Sequence, residues 1–189
     1  GVPGDDSLSQ ASEVGRDRFE RQVDALEAAG YEVRRVEAFD DIEAVNERHE
    51  LLVAAEAALA HREWFDEYAD RYADSTADLI REGRAASVGA VADARRGRLD
   101  LRSSLAATME NRGVDVFVSP GAPGPAPEGI ESTGDPVMNL PWTHAGVPAV
   151  ALPAGDVDGL PVGLQCAAAF GDDERLLAWA GGLADALSD

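Results

Sequence analysis

Between residues 133 and 165 the chain reads TGDPVMNLPWTHAGVPAVALPAGDVDGLPVGLQ, with Asp135, Asp156 and Asp158 its only residues charged at neutral pH. Gly and Pro recur through it and leave room for short elements only. Two apolar runs, 149–152 and 162–165, flank a Gly- and Asp-rich turn at 155–159 and read as buried strands. The stretch before them, 139–146, is too polar and broken for a strand and reads as a short helix or an ordered loop. Ordered Gly-rich backbone beside buried strands lets a ligand approach closely. The competing reading is a hairpin-like unit whose glycines serve only its turns.

The rest of the chain must cover those strands. At 189 residues and 45% hydrophobic it has enough material for one domain with a core. The formal charge is −20, from 36 acidic and 16 basic residues, and every basic residue is Arg. The acids are spread along the chain, which predicts adaptation to high salt, where screening removes their mutual repulsion. An acidic surface for a basic partner is the rival explanation. Nucleic acid is disfavoured, because like charges repel. The lone Cys166 lies in an apolar run and is expected as a small buried hydrophobe. No apolar run is long enough for a bilayer and no secretory signal opens the chain, so no membrane partner and a cytoplasmic location are expected.

Read in order, 1–4 is a strand remnant. Ser9 is the expected cap of a helix to about Ala29, with Phe19, Val23 and Leu26 inward and Gly30 as its stop. Asp17, Glu20, Arg21 and Glu27 read as its solvated face. Residues 31–36 alternate as a half-exposed strand. Asp40 or Asp41 caps a long helix through Ile42, Val45, His49, Leu52 and Val53 to about Tyr72, kinked if so long. Trp64, Phe65, Tyr68 and Tyr72 are expected in its core stripe. A short helix from Ser75 ends near Gly83. Ser87 caps a long helix to about Asn111, with Val88, Val91, Leu99, Leu101, Leu105 and Met109 as apolar positions. Residues 114–119 are the clearest strand, stopped by Pro120 and followed by a loop whose prolines cannot pair regularly. Asp172 or Asp173 caps a last helix, with Leu176, Leu177, Trp179, Ala180 and Leu183 inward. The order β-α-β-α-α-α-β-loop-α-β-β-α predicts a single α/β domain over 1–189, a mixed sheet packed by helices on both faces in α/β/α layers.

Chemistry is sparse. His49, His61 and His144 lack metal-ligand spacing, so neither a metal nor a cofactor is expected. There is no GxSxG, Walker loop or GxGxxG. Asp135, Thr143 and His144 form a hydrolytic set only if the fold brings them within hydrogen-bond reach. The alternative for Asp135 is an Asx turn in its own loop. Asn139 is a donor to a backbone carbonyl or a substrate. Arg95, Arg96, Arg98 and Arg102 form a basic cluster on the long helix. It reads either as an anion site or as partners for nearby carboxylates.

The stretch STGDPVMNLPWTHAGVPAVALPAG, then GLPVGLQ and a closing amphipathic helix, resembles the C-terminal half of the amidase-signature family, amide hydrolases that include amidotransferase subunits releasing ammonia from glutamine. GVPGD resembles the family's strand after its catalytic region. AAEAALAHREW resembles its alanine-rich helix, and DVFVSPGAPGPAP its strand and proline loop. The resemblance implies a Ser nucleophile, a second Ser on a cis peptide bond, a proton-shuttling Lys and a GGSSGG stretch, all in the N-terminal half. This sequence has no Lys and no GGSSGG, so no catalytic residue carries over. It also implies that Pro120, Gly121, Ala122, Asp135, Asn139, Trp142 and Thr143 line a substrate pocket for a small-molecule amide. The expectation is a C-terminal scaffold half, inactive alone, that associates with itself or with a partner catalytic half. The alternatives are a non-catalytic subunit that completes a partner's pocket, and an independent hydrolase using Thr143 and His144.

Overall fold

Alternation in the strands decides which helices cover which face of the sheet. The computed structural model describes residues 1–188. Its strands are Val2–Pro3 (β1), Arg35–Val36 (β2), Phe117–Pro120 (β3), Ala149–Val157 (β4) and Leu160–Ala167 (β5). Its helices are Asp5–Leu8 (α1), Glu13–Ala28 (α2), Ile42–Ala60 (α3), Arg62–Tyr68 (α4), Asp74–Ala85 (α5), Val88–Arg112 (α6), Leu140–Ala145 (α7) and Asp173–Ala186 (α8). β3, β5 and β4 form an antiparallel sheet in that order, while β1 and β2 pair in parallel. Two hydrogen bonds splice the sheets: Gly1 N donates to Val116 O (2.7 Å) and Val118 N to Gly1 O (2.8 Å). The result is the expected mixed arrangement with helices on both sides.

Successive residues of a strand point to opposite faces. Val118, Leu164 and Cys166 join Phe19, Val23 and Leu26 of α2 and Leu176, Ala180 and Leu183 of α8 in one core. Phe117 and Ala167 turn the other way, to Ile42 and Val45 of α3, Leu101, Leu105 and Met109 of α6, and Trp142 and Ala145 of α7. Each fully buried Phe or Leu contributes roughly 1.5–3 kcal/mol of transfer free energy. Burial also pushes the Cys166 thiol up to about 12, so it behaves as the apolar filler its surroundings require.

Several elements differ from expectation. Ser12, not Ser9, caps α2, because its hydroxyl reaches Gly15 N (3.1 Å); Ser9 lies beyond α1 and donates to Asp6 O. The strand expected at 31–36 pairs only at Arg35–Val36, since β1 is two residues long and offers no longer partner. The helix expected through Tyr72 breaks at His61, which bonds to the Tyr72 hydroxyl (3.0 Å) as the chain doubles back. The break lets α5 lie on α3 and close a small core of Ala58, Phe65, Ala77 and Ile80. It also splits the aromatic stripe: Phe65 is buried and Tyr72 packs on it, but Trp64 is 63% exposed and Tyr68 exposed. The helix expected from Ser75 starts at Asp74 without a side-chain cap. Val88 and Leu99 of α6 and Leu177 of α8 face solvent, because α6 packs on α3 and α7, and α8 on the sheet, each along one narrow stripe. The turn expected at 155–159 tightens to Asp158–Gly159, because β4 stays paired as far as Val157.

Candidate functional site

A cavity of about 480 Å³ lies where the sheet end, the proline loop and α2 meet. The end of β3 and the loop after it supply 120–127 and 133–135, the β4–β5 hairpin supplies Ala151 and 161–163, and α2 supplies Gly15, Arg18, Phe19 and Gln22. Four of the seven candidate residues, Pro120, Gly121, Ala122 and Asp135, lie on this wall. Asn139 does not line it, but its Nδ2 donates to Gly121 O (3.4 Å) and ties the start of α7 to the loop. Trp142 is elsewhere: it is buried, with its ring 5.2 Å from Phe39 and 5.5 Å from Phe117, as core packing. Thr143 is exposed on the outer side of α7 and does not line the cavity.

The Asp135–Thr143–His144 set is not assembled. Asp135 Oδ1 accepts from Val137 N (2.9 Å), an Asx turn, and takes no part in a relay. Thr143 and His144 are neighbours on a helix and diverge by about 100° around its axis. His144 is fully buried, and neither ring nitrogen has a hydrogen-bond partner among the described residues. It stacks edge-on against His49 of α3, with ring centroids 5.9 Å apart. Burial, then His49 and the guanidiniums of Arg98 and Arg48, hold His144 down to about 4. His49 is lowered too, by burial first and Arg98 second. Both imidazoles are therefore neutral at pH 7.

The basic cluster of α6 disperses. Arg95 meets Glu56 (3.6 Å), Arg96 meets Asp93, and Arg102 donates to Ala145 O (2.8 Å) beneath Phe170. Arg98 Nε alone is buried without a partner among the described residues. The four guanidiniums do not converge on an anion. Among the described residues no group of three or more His, Cys, Asp or Glu is placed to hold a metal, and no helix is long and apolar enough to cross a membrane.

The α2 wall escaped sequence reasoning. Ser12 Oγ and Ser12 N both donate to Pro123 O (2.8 Å each), and the same hydroxyl caps the helix. Arg18 Nε (3.3 Å), Arg18 Nη2 (3.0 Å) and Gln22 Nε2 (3.1 Å) converge on Ala154 O. A signal was present: Gly15, Arg18 and Gln22 recur every three or four residues beside the apolar stripe, where charged residues of a plain solvated face would not be held. Among the described residues the wall holds one carboxylate, Asp135, and one guanidinium, Arg18, and it contains no Ser, Cys, Lys or His. Such a cavity orients and selects a ligand. The Thr133 hydroxyl also lines it, but among the described residues it has no hydrogen bond to Asp135, whose Oδ1 serves the Asx turn, so no nucleophile is paired with a base there.

A family model described as Amidase matches residues 1–177. The glutamyl-tRNA(Gln) amidotransferase A-subunit of Exiguobacterium sibiricum is 50% identical over 58 residues, 27% of this chain and 12% of that protein. Its counterpart in Marinobacter nauticus is 44% identical over 71 residues, 34% of this chain and 15% of that protein. A crystal structure of an amidase superposes on 100% of this chain and 45% of its own, at 33% identity and a TM-score of 0.89. The chain thus spans less than half the length of the relatives it matches.

Proposed function

Because the chain belongs to the amidase family, we propose that it forms the substrate-pocket part of an enzyme that hydrolyses the amide C–N bond of a small molecule. In this reading the reaction passes through an acyl-serine intermediate whose nucleophile, second Ser and Lys lie outside these 189 residues. The observation that carries it is the cavity itself. It is built from the proline loop and the Asp135 loop, the segments on which the family resemblance rests, yet its wall has no nucleophile–base pair. The chain alone is inactive, and a catalytic part bearing GGSSGG and a Lys completes the site. Pro120, Gly121, Ala122 and Asp135 line the substrate pocket. Asn139 steadies the loop through Gly121 O, while Trp142 serves the core and Thr143 takes no part in the pocket.

The test is hydrolysis of simple amides by the purified chain and by the chain joined to such a catalytic part. Activity is expected only in the second preparation. Turnover by the chain alone that survives rigorous purification would sink the reading. The charge of −20 supports a high-salt habitat, and the thermal midpoint is then expected to rise with molar KCl. A midpoint that is flat or falls with salt would remove that part.

A further inference from the structure

The two walls of the cavity are held by one helix, and the hold on one wall is unusual. The ladder between β4 and β5 slips between Pro153 and Asp156, a bulge that carries Gly155 at φ 93°. The Ala154 carbonyl there is gripped from α2 by three N–H donors. Since a carbonyl only accepts, the Gln22 amide must present Nε2 to it. That choice leaves Gln22 Oε1 buried without a partner among the described residues. A buried glutamine with half its amide unpaired carries a desolvation penalty, so the grip on Ala154 is made at the expense of local stability. Gly155 is needed for two reasons. Its φ is left-handed, and the Arg18 guanidinium occupies the space where a Cβ would stand. Ten residues before Gln22, at the start of the same helix, Ser12 holds Pro123 O, and Gly15 lies so close to that carbonyl that a Cβ would collide with it.

We propose that Arg18 and Gln22 are positioning residues that fix the distance between the β4 bulge and the proline loop, and so determine which acyl groups the cavity admits. The claim rests on the amidase reading above. The helix is the rigid member: Ser12 and Gln22 are ~15 Å apart along its axis, at about 1.5 Å per residue. Releasing Ala154 frees the bulge and with it the hairpin arm at 161–163, while the Pro123 wall stays tied. The cavity then widens on one side only.

Two measurements decide it. The first is hydrogen exchange of residues 150–165 in the full chain. Arg18→Ala and Gln22→Met, which keeps the side-chain volume and removes the donor, are each expected to speed exchange there roughly tenfold. Arg18→Lys, which retains a donor, restores much of the protection. Should Arg18→Ala fail to fold, Gln22→Met carries the same test. The second is a substrate series in the chain completed by its catalytic part: acetamide, butyramide and benzamide. The ratio of kcat/KM for benzamide over acetamide is expected to rise about tenfold in Gln22→Met, through KM more than kcat, since small displacements of a pocket wall change rates on that scale. This variant decides, because Arg18 and Gln22 also line the cavity and only Gln22→Met leaves the lining volume unchanged. Unchanged exchange at the bulge overturns the grip. Changed exchange with an unchanged size ratio overturns its role in selection. An inactive wild-type assembly would instead remove the amidase reading, and the exchange measurement would still decide the grip.

Discussion

The two faces of the sheet are packed alike in apolar terms and differ in their polar atoms. On the α2/α8 face the one buried side-chain polar atom without a partner among the described residues is Gln22 Oε1. On the α3/α6/α7 face the unpartnered atoms include both nitrogens of His144, His49 Nδ1, Arg98 Nε, Asn46 Oδ1 and Ser119 Oγ. Ser119 belongs to that face because it shares the parity of Phe117. Buried polar groups without partners cost about 1–3 kcal/mol each. The first face therefore carries one such cost, at the residue that holds a cavity wall. The second keeps neutral histidines in a setting that tolerates them only while they stay neutral.

The contrast can be broken most sharply by cavity formation. Phe19→Ala and Phe117→Ala, one per face and each only 1% exposed, are both expected to lower stability by about 3–5 kcal/mol in urea unfolding. A difference between them well beyond ~1 kcal/mol would mean that apolar packing also separates the faces.

Acid is the next lever. His144 falls from 6.5 to about 4 on folding, so between those values the unfolded chain binds the extra proton. Stability is complete above pH 6.5 and declines as pH drops toward 4, with His49 adding in the same direction. Urea midpoints across that range in wild type and His144→Leu should show the decline flattened in the variant. An identical decline would place the acid sensitivity elsewhere.

The helix caps sharpen the comparison at smaller scale. Ser87→Ala removes a single cap bond to Ala90 N (3.1 Å) on the second face and should cost about 1 kcal/mol. Ser12→Ala also cuts the tie to Pro123 O, so its loss should be the larger, about 2 kcal/mol. Equal losses would show that the loop needs no tether. Smallest of all, His144→Leu at pH 7.5 should shift the thermal midpoint little or raise it, because an apolar side chain removes two unpaired nitrogens. A large destabilisation would mean that a buried water satisfies the ring.

Much of the architecture was legible in the chain. Periodicity placed α2, α3, α6 and α8, and the Gly-flanked runs placed β4 and β5. The β-branched run expected as a strand over 114–119 and stopped by Pro120 pairs only from Phe117 and runs through Pro120 itself, because β5 offers partners only as far as Ala167 and Leu164. These signals are local: one residue's side reveals its neighbour's side at a fixed period. The limits appeared where the partner is distant in sequence. Nothing near Val33 says that β1 is two residues long, and nothing near His61 says that the helix must fold back to seat Ile80. Trp64 and Leu177 carry apolar side chains whose faces the tertiary arrangement left uncovered.

The candidate site divides along the same line. The sequence by itself marked the proline loop and the Asp135 turn, because Pro and Gly restrict backbone wherever they occur and Asx turns close within three residues. It also determined that no Lys is present to act as a base. Only the tertiary structure decided that Trp142 belongs to the core, that His144 is sealed away from Thr143, and that Arg18 and Gln22 reach 136 and 132 residues along the chain to one carbonyl. A hydrogen bond depends on position and direction to within fractions of an ångström, and those are set by packing rather than by the order of residues.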